Sequence, residues 1–159
     1  MHFSTLSLLS ISLSTLSAVV HAAGNATVTN LAADPIYVYS VGSSVSPVTV
    51  LATNQTYLEP LHYDPTTGGI AIKVTAVPDG IYNGSPQLSF QYTLDGNTVW
   101  YDLANTYGEA FPGSPLAVTP SDPACGTIDW PAGVPTGGSS VDNCQGEADI
   151  GLTVGPAPA

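Results

Sequence analysis

The sequence predicts an all-β fold, a sandwich or flattened barrel of about nine to ten short antiparallel strands. Three observations carry that expectation. The apolar Leu88, Phe90, Tyr92 and Leu94 alternate with Gln87, Ser89, Gln91 and Thr93, the period of two that gives a strand one buried face. Runs rich in β-branched and aromatic residues recur along the chain, each bounded by Pro, Gly, Asn or Asp, which end strands and make turns. Beyond residue 22 nothing reads as a helix. At 159 residues the chain suits one domain with a single two-layer core.

Residues 1–22 read as a secretory signal. An apolar run through Leu6, Leu8, Leu9, Ile11, Leu13 and Leu16 leads to Val20-His21-Ala22, a small-residue cleavage site. Ser and Thr interrupt the run and it is too short to span a bilayer. The tail Gly155-Pro156-Ala157-Pro158-Ala159 has no apolar stretch for a lipid-anchor signal. The expectation is a secreted, unanchored single domain over residues 23–159. Three sequons follow, at Asn25, Asn54 and Asn83; the latter two fall between predicted strands, where N-glycosylation is expected.

Strands are predicted over residues 26–30, 36–41, 45–51, 57–61 and 70–77, the last with Ile70, Ile72, Val74 and Ala76 on one face. A hairpin follows. Asp95-Gly96 suits a type I′ turn, and a loop centred there or on Gly96-Asn97 puts Val99, Tyr101 and Leu103 on the core face. Gln91, Thr93, Trp100 and Asp102 then share the other face. A Pro/Gly/Ser-rich excursion over residues 121–143 loosens the pattern, and a last strand over 149–154 returns to the core. Cys125 and Cys144, the only cysteines, are expected to pair in a secreted chain, with free thiols or a metal site as the alternatives.

Lys73 is the only Lys or Arg against twelve acidic residues, a net charge of −11. Such a chain does not neutralise phosphates and is repelled by anionic membranes, which excludes nucleic acid and lipid surfaces as partners. Neutral polysaccharide, basic protein patches and cations remain, beside the plain reading that acidity confers solubility. Nothing calls for a partner subunit, and a monomer is expected.

With the strands laid out, the sequence resembles the thaumatin-like superfamily, and within it the small fungal antigenic, Bys1-type secreted proteins. ATVTNLAADPIYVYSVGS is similar to the superfamily's opening strand pair, and YTLDGNTVWYDL with GEAFPGSPLAVTP to its hairpin and the loop beyond it. PDGIYNGSPQ and GTIDWPAGVP resemble the fungal branch. One departure is clear: the cysteine pair that joins the family's first strand to its C-terminus is missing, since Leu31 or Ala32 stands at the first position. Looser ends are the implied consequence.

The resemblance also implies a site. Large relatives carry an acidic cleft linked with β-glucan binding and weak glucanase activity. Carried onto this chain, its carboxylate positions fall on Gln91, Asp102 and Tyr107, so only Asp102 keeps an acid. Glycoside hydrolysis needs two carboxyl groups flanking the bond, and an amide supplies neither a carboxyl proton nor a base. Glu109, Asp64 and Asp129 are the possible replacements. Trp100, beside Gln91 and Asp102, is able to stack on a sugar ring, unless a loop or second sheet covers that face. Trp130 more simply anchors its loop. The expected site residues are therefore Trp100, Asp102, Gln91 and Tyr107, for carbohydrate, with no catalytic residue.

Other chemistries find little support. Beyond residue 22 the only histidine is His62 and no GxSxG occurs, which leaves no basis for a histidine metal centre or a nucleophile elbow. His62 reads as an ordinary surface histidine. Asp142, Asn143, Glu147 and Asp149 do not follow the EF-hand order, so neither metal nor cofactor is expected. The function implied is a non-enzymatic glycoprotein, secreted to the cell wall or beyond. It would bind cell-wall β-glucan, or a host or surface protein, as an adhesin, antigen or effector. Weak glucan hydrolysis is the alternative.

Overall fold

The computed structural model describes residues 22–137 and 140–156; the expected signal segment, Ala22 apart, lies outside them. Eleven strands form two sheets: β1 (Asn25–Asn30), β2 (Ile36–Val41), β3 (Thr49–Leu51), β4 (Thr56–Pro60), β5 (Ile70–Thr75), β6 (Gln87–Asp95), β7 (Thr98–Thr106), β8 (Leu116–Pro120), β9 (Ile128–Trp130), β10 (Val141–Gln145) and β11 (Ile150–Val154). One sheet has the order β4-β1-β11-β8-β9, the other β10-β7-β6-β5-β2-β3. This is the predicted all-β sandwich, with one parallel pair, β1 with β11. That pair joins opposite ends of the described chain, so no hairpin signal announces it.

Alternation builds the core. In β1, Ala26, Val28 and Asn30 are buried while the residues between them are half-exposed. Val28, Val118, Ile150 and Leu152 from one sheet meet Val38, Ile72, Val74, Phe90 and Leu103 from the other, all essentially without solvent access. Each such side chain contributes roughly 1.5–3 kcal/mol relative to exposure.

The hairpin differs from the predicted turn. Asp95 pairs with Thr98, so the loop is Gly96-Asn97. Gly96 has φ +57° and Asn97 is not among the positive-φ residues, the pattern of a II′ turn rather than the expected I′. Both loops give the same facing, so the core-face assignment stands. Two predicted strands run shorter than expected. Val45 keeps only an isolated bridge to Val41, and the regular ladder is broken over residues 46–48 because Ser46 Oγ takes the Ser40 N–H (2.9 Å) and Pro47 has no N–H to offer. The strand from Ile70 ends at Thr75, whose Oγ1 bonds Val77 O (2.8 Å). The loose excursion, conversely, contains β9 and part of β10. Trp130 is buried in β9 rather than lying in a loop, and β10 completes the edge of the second sheet beside β7.

Where the family's terminal cystine is missing, backbone pairing joins the ends: Leu31 N donates to Val154 O (2.7 Å). Buried Asn30 adds a side-chain network, with Nδ2 donating to Asp34 O and Leu51 O (3.0 and 2.9 Å) and Oδ1 accepting from Ala32 N (3.0 Å). Cys125 and Cys144 form the expected disulfide, tying the loop after β8 to β10. Its neighbour Asp122 is the third member of a metal-like cluster, but sulfurs bonded to each other are not thiolate ligands.

A candidate glycan groove on the outer sheet face

The outer face of the six-stranded sheet carries three of the four expected site residues, Gln91, Trp100 and Asp102. Antiparallel register aligns Val141, Asp102, Gln91, Ala71 and Val41 in one row across β10, β7, β6, β5 and β2. Asn143, Trp100 and Thr93 form the row beside it. Thr93 packs directly on Gly69, where a Cβ would lie 2.3 Å from its Oγ1. The result is an open groove of about 390 Å³, lined among others by Gln91, Trp100 and Asp102.

Only half of this face is open. Residues 76–86 fold over the other end, where Gln87 Nε2 donates to Gly80 O (3.4 Å) and Asp79 N to the Tyr39 hydroxyl (3.2 Å). Tyr82 meets the Tyr39 ring edge-to-face at 6.2 Å. Gln87, Ser89 and Thr75 are buried there although they share the polar side of the alternation. The question left open by the sequence, whether Trp100 is covered, is answered by that asymmetry: the residue is 47% exposed.

Gln91 and Asp102 are direct cross-strand partners. Burial pushes the Asp102 carboxyl above the usual carboxylate range, while the Gln91 amide and the Lys73 ammonium pull it back. Lys73 is half-buried one row away, its Nζ donating to Ser89 Oγ (2.5 Å); burial lowers its pKa and Asp102 opposes that. Asp102 Oδ1 is buried without a hydrogen-bond partner among the described residues. Sequence reasoning placed Asp102 and Gln91 here but missed Lys73. Its position on the outward face of the 70–77 strand was the available signal.

Residues directly opposite on antiparallel strands have Cβ atoms about 5 Å apart, close to the carboxyl separation that a retaining glycosidase needs. An amide fills that place. The suggested replacements do not line the groove. Asp64 is committed to the backbone N–H groups of Ser43, Thr66 and Thr67 (2.7, 2.8 and 3.1 Å), Asp129 lies on β9 of the other sheet, and Glu109 sits in the loop after β7. Tyr107 is a correction to the expected site. It follows the far end of β7 in a left-handed conformation (φ +59°), roughly 20 Å from Trp100 along an extended strand, and takes no part in the groove.

The predicted glycosylation sites differ in setting. Asn54 and Asn83 are exposed in turns, whereas Asn25 begins β1 and its Nδ2 donates to Asp149 Oδ1 (2.9 Å). Among the described residues no helix is long and apolar enough to cross a membrane.

Among the described residues the chain is a two-sheet sandwich without a helix, a thaumatin-like fold. It is similar to the crystal structure of the protein elicitor MoHrip2 from Magnaporthe oryzae, with a TM-score of 0.68 and 19% identity over 84% of this chain and 100% of that one. It is also similar to the thaumatin-like xylanase inhibitor TLXI, with a TM-score of 0.55 and 10% identity over 82% and 99%. At these identities the likeness shows the fold alone. Among curated proteins, the chain is 32% identical over 110 residues to the secreted thaumatin-like protein calA of Emericella nidulans, covering 66% of this chain and 61% of that relative's length. It is 29% identical over 160 residues to the antigenic thaumatin-like protein of Arthroderma benhamiae, covering 91% and 80%. The family described as Blastomyces yeast-phase-specific protein, Bys1, matches residues 13–156, and the chain belongs to it.

Proposed function

We propose that this protein is secreted and non-enzymatic, and works by binding at the cell wall or outside the cell, its groove holding neutral β-1,3-glucan without cleaving it. The observation that carries the reading is the pairing of Asp102 with Gln91: one carboxylate where hydrolysis needs two. An exposed Trp beside an amide and an acid suits a sugar ring, whose face stacks while its hydroxyls find donors and acceptors. A net charge of −11 favours an uncharged ligand over an anionic one. The names of the relatives, one secreted and one antigenic, support an extracellular role, and the exposed sequons at Asn54 and Asn83 support N-glycosylation there.

Retention on insoluble β-1,3-glucan tests this directly. Wild type is retained, and Trp100→Ala binds about tenfold more weakly while its stability changes by no more than about 0.5 kcal/mol, as for other exposed positions. Retention that survives Trp100→Ala removes the tryptophan from the site. Release of reducing sugar from the same glucan, abolished by Asp102→Asn, would replace binding by hydrolysis.

A further inference from the structure

A second cavity, of about 430 Å³, opens where β2 and β4 approach the loop after β4. Ser44, Tyr57, Glu59, His62 and Tyr63 are on its wall, and a hydrogen-bonded chain organises it. The hydroxyls of Tyr57 and Tyr92 each donate to one Glu59 oxygen (2.7 Å both). His62 Nδ1 lies 3.0 Å from Pro60 O and 3.1 Å from the Tyr92 hydroxyl. A carbonyl only accepts, so Nδ1 carries a hydrogen toward Pro60 O. Glu59 keeps lone pairs beyond the two that the phenols use.

Gly42 and Ile70 line both this cavity and the Trp100 groove, so the two adjoin. Gly42 has no room for a side chain at this junction, since a Cβ there would stand 2.6 Å from Asp64 Oδ2 and 2.7 Å from Ile70 Cδ1, so those two side chains close in on the glycine and form the wall between the cavities. From β7 to β2 the groove crosses three strand spacings, roughly 14 Å, which already exceeds one sugar ring before the second cavity begins. Trp100 stands at one end of the combined path. Tyr63, 55% exposed, stands at the other.

We propose that the Tyr57–Glu59–His62–Tyr63 cavity is a second subsite for the same glycan, so that the protein binds an extended oligosaccharide segment rather than a single terminal sugar. This rests on the reading of the Trp100 groove as a glycan site. The wall offers acceptor oxygens at Glu59, the polar His62 ring, a Ser44 hydroxyl and an exposed phenol ring, a set matched to a neutral polyhydroxyl chain. The Glu59 carboxylate disfavours an anionic one.

Titration calorimetry with the β-1,3-linked glucose disaccharide and longer oligomers of the same linkage separates the two readings. Wild-type affinity is expected to rise with length. Tyr63→Ala and Tyr57→Phe should each weaken the longest oligomer by about three- to tenfold and leave the disaccharide unchanged; Trp100→Ala should weaken every length. If both tyrosine variants bind the long oligomer like wild type, or lose affinity equally at all lengths, the second subsite is wrong and the groove reading stands. If wild type binds no oligomer, both fall.

Discussion

Asp102 and Asp64 carry the same side chain with opposite electrostatic character. Asp102 is pushed up by burial, whereas the Ser43, Thr66 and Thr67 groups that donate to Asp64 hold its carboxyl well below the usual range. A depressed carboxylate contributes stability above its unfolded pKa, about 3.9, and that contribution is lost as pH falls through the lower folded value. Asp64→Ala is therefore expected to melt below wild type by a constant margin above about pH 5, and the margin should narrow as pH drops below about 4. Thermal melts of both proteins across that range check it; a margin independent of pH would mean that the hydrogen-bonded charge is not what Asp64 supplies. The residue types at Trp100, Gln91 and Asp102 were legible as a group because strand parity puts them on one face. Tyr107 was not, since homologous spacing does not reveal that β7 ends before it.

Among elements, the β6–β7 hairpin governs the site, because its register sets Gln91 opposite Asp102 and Thr93 opposite Trp100. Gly96 holds φ +57°, and a Cβ at this position would have nothing within 4 Å, so an alanine there meets only backbone strain. Gly96→Ala is predicted to cost about 1 kcal/mol or somewhat more, read by urea unfolding, with the groove intact in the folded fraction. A cost near zero would show that the turn relaxes to a loop tolerant of side chains. Hairpin pairing was legible because alternation on both strands and a glycine between them are local signals. The short β9 and β10 were not. Ile128–Trp130 gives only a single alternation, and Val141–Gln145 contains Asp and Asn, poor strand formers that are held by pairing and a disulfide.

At the scale of the molecule, closure is achieved twice: by the parallel β1–β11 pairing and by the cystine between residues 125 and 144, 19 apart in sequence. Closing a loop of that size stabilises by about 3 kcal/mol in the chain-entropy model. Cys125→Ser with Cys144→Ser should lower the unfolding free energy by about that amount, while oxidised and reducing conditions should no longer differ for the variant. Equal stability of wild type with and without reductant would show that β10 is held by its pairing with β7 alone. The pairing of the cysteines was legible from their number and the expected oxidising compartment. The pairing of the chain's ends was not, because parallel neighbours carry no turn between them.

By itself the sequence determined the class of fold and the inward and outward faces of the long strands, since both follow from residue type and a period of two; that only Asp102 keeps an acid among the cleft positions is what the family resemblance implies. Only the tertiary structure decided which half of the outer face stays open. That depends on residues 76–86 folding over Gln87 and Tyr39 while Trp100 remains uncovered, a long-range packing outcome that no local pattern encodes. The same holds for the second cavity: Tyr57, Glu59 and His62 are neighbours along β4 and the loop after it, but Tyr92 comes from β6 of the other sheet, and its bonds to Glu59 and His62 exist only once the two sheets have met.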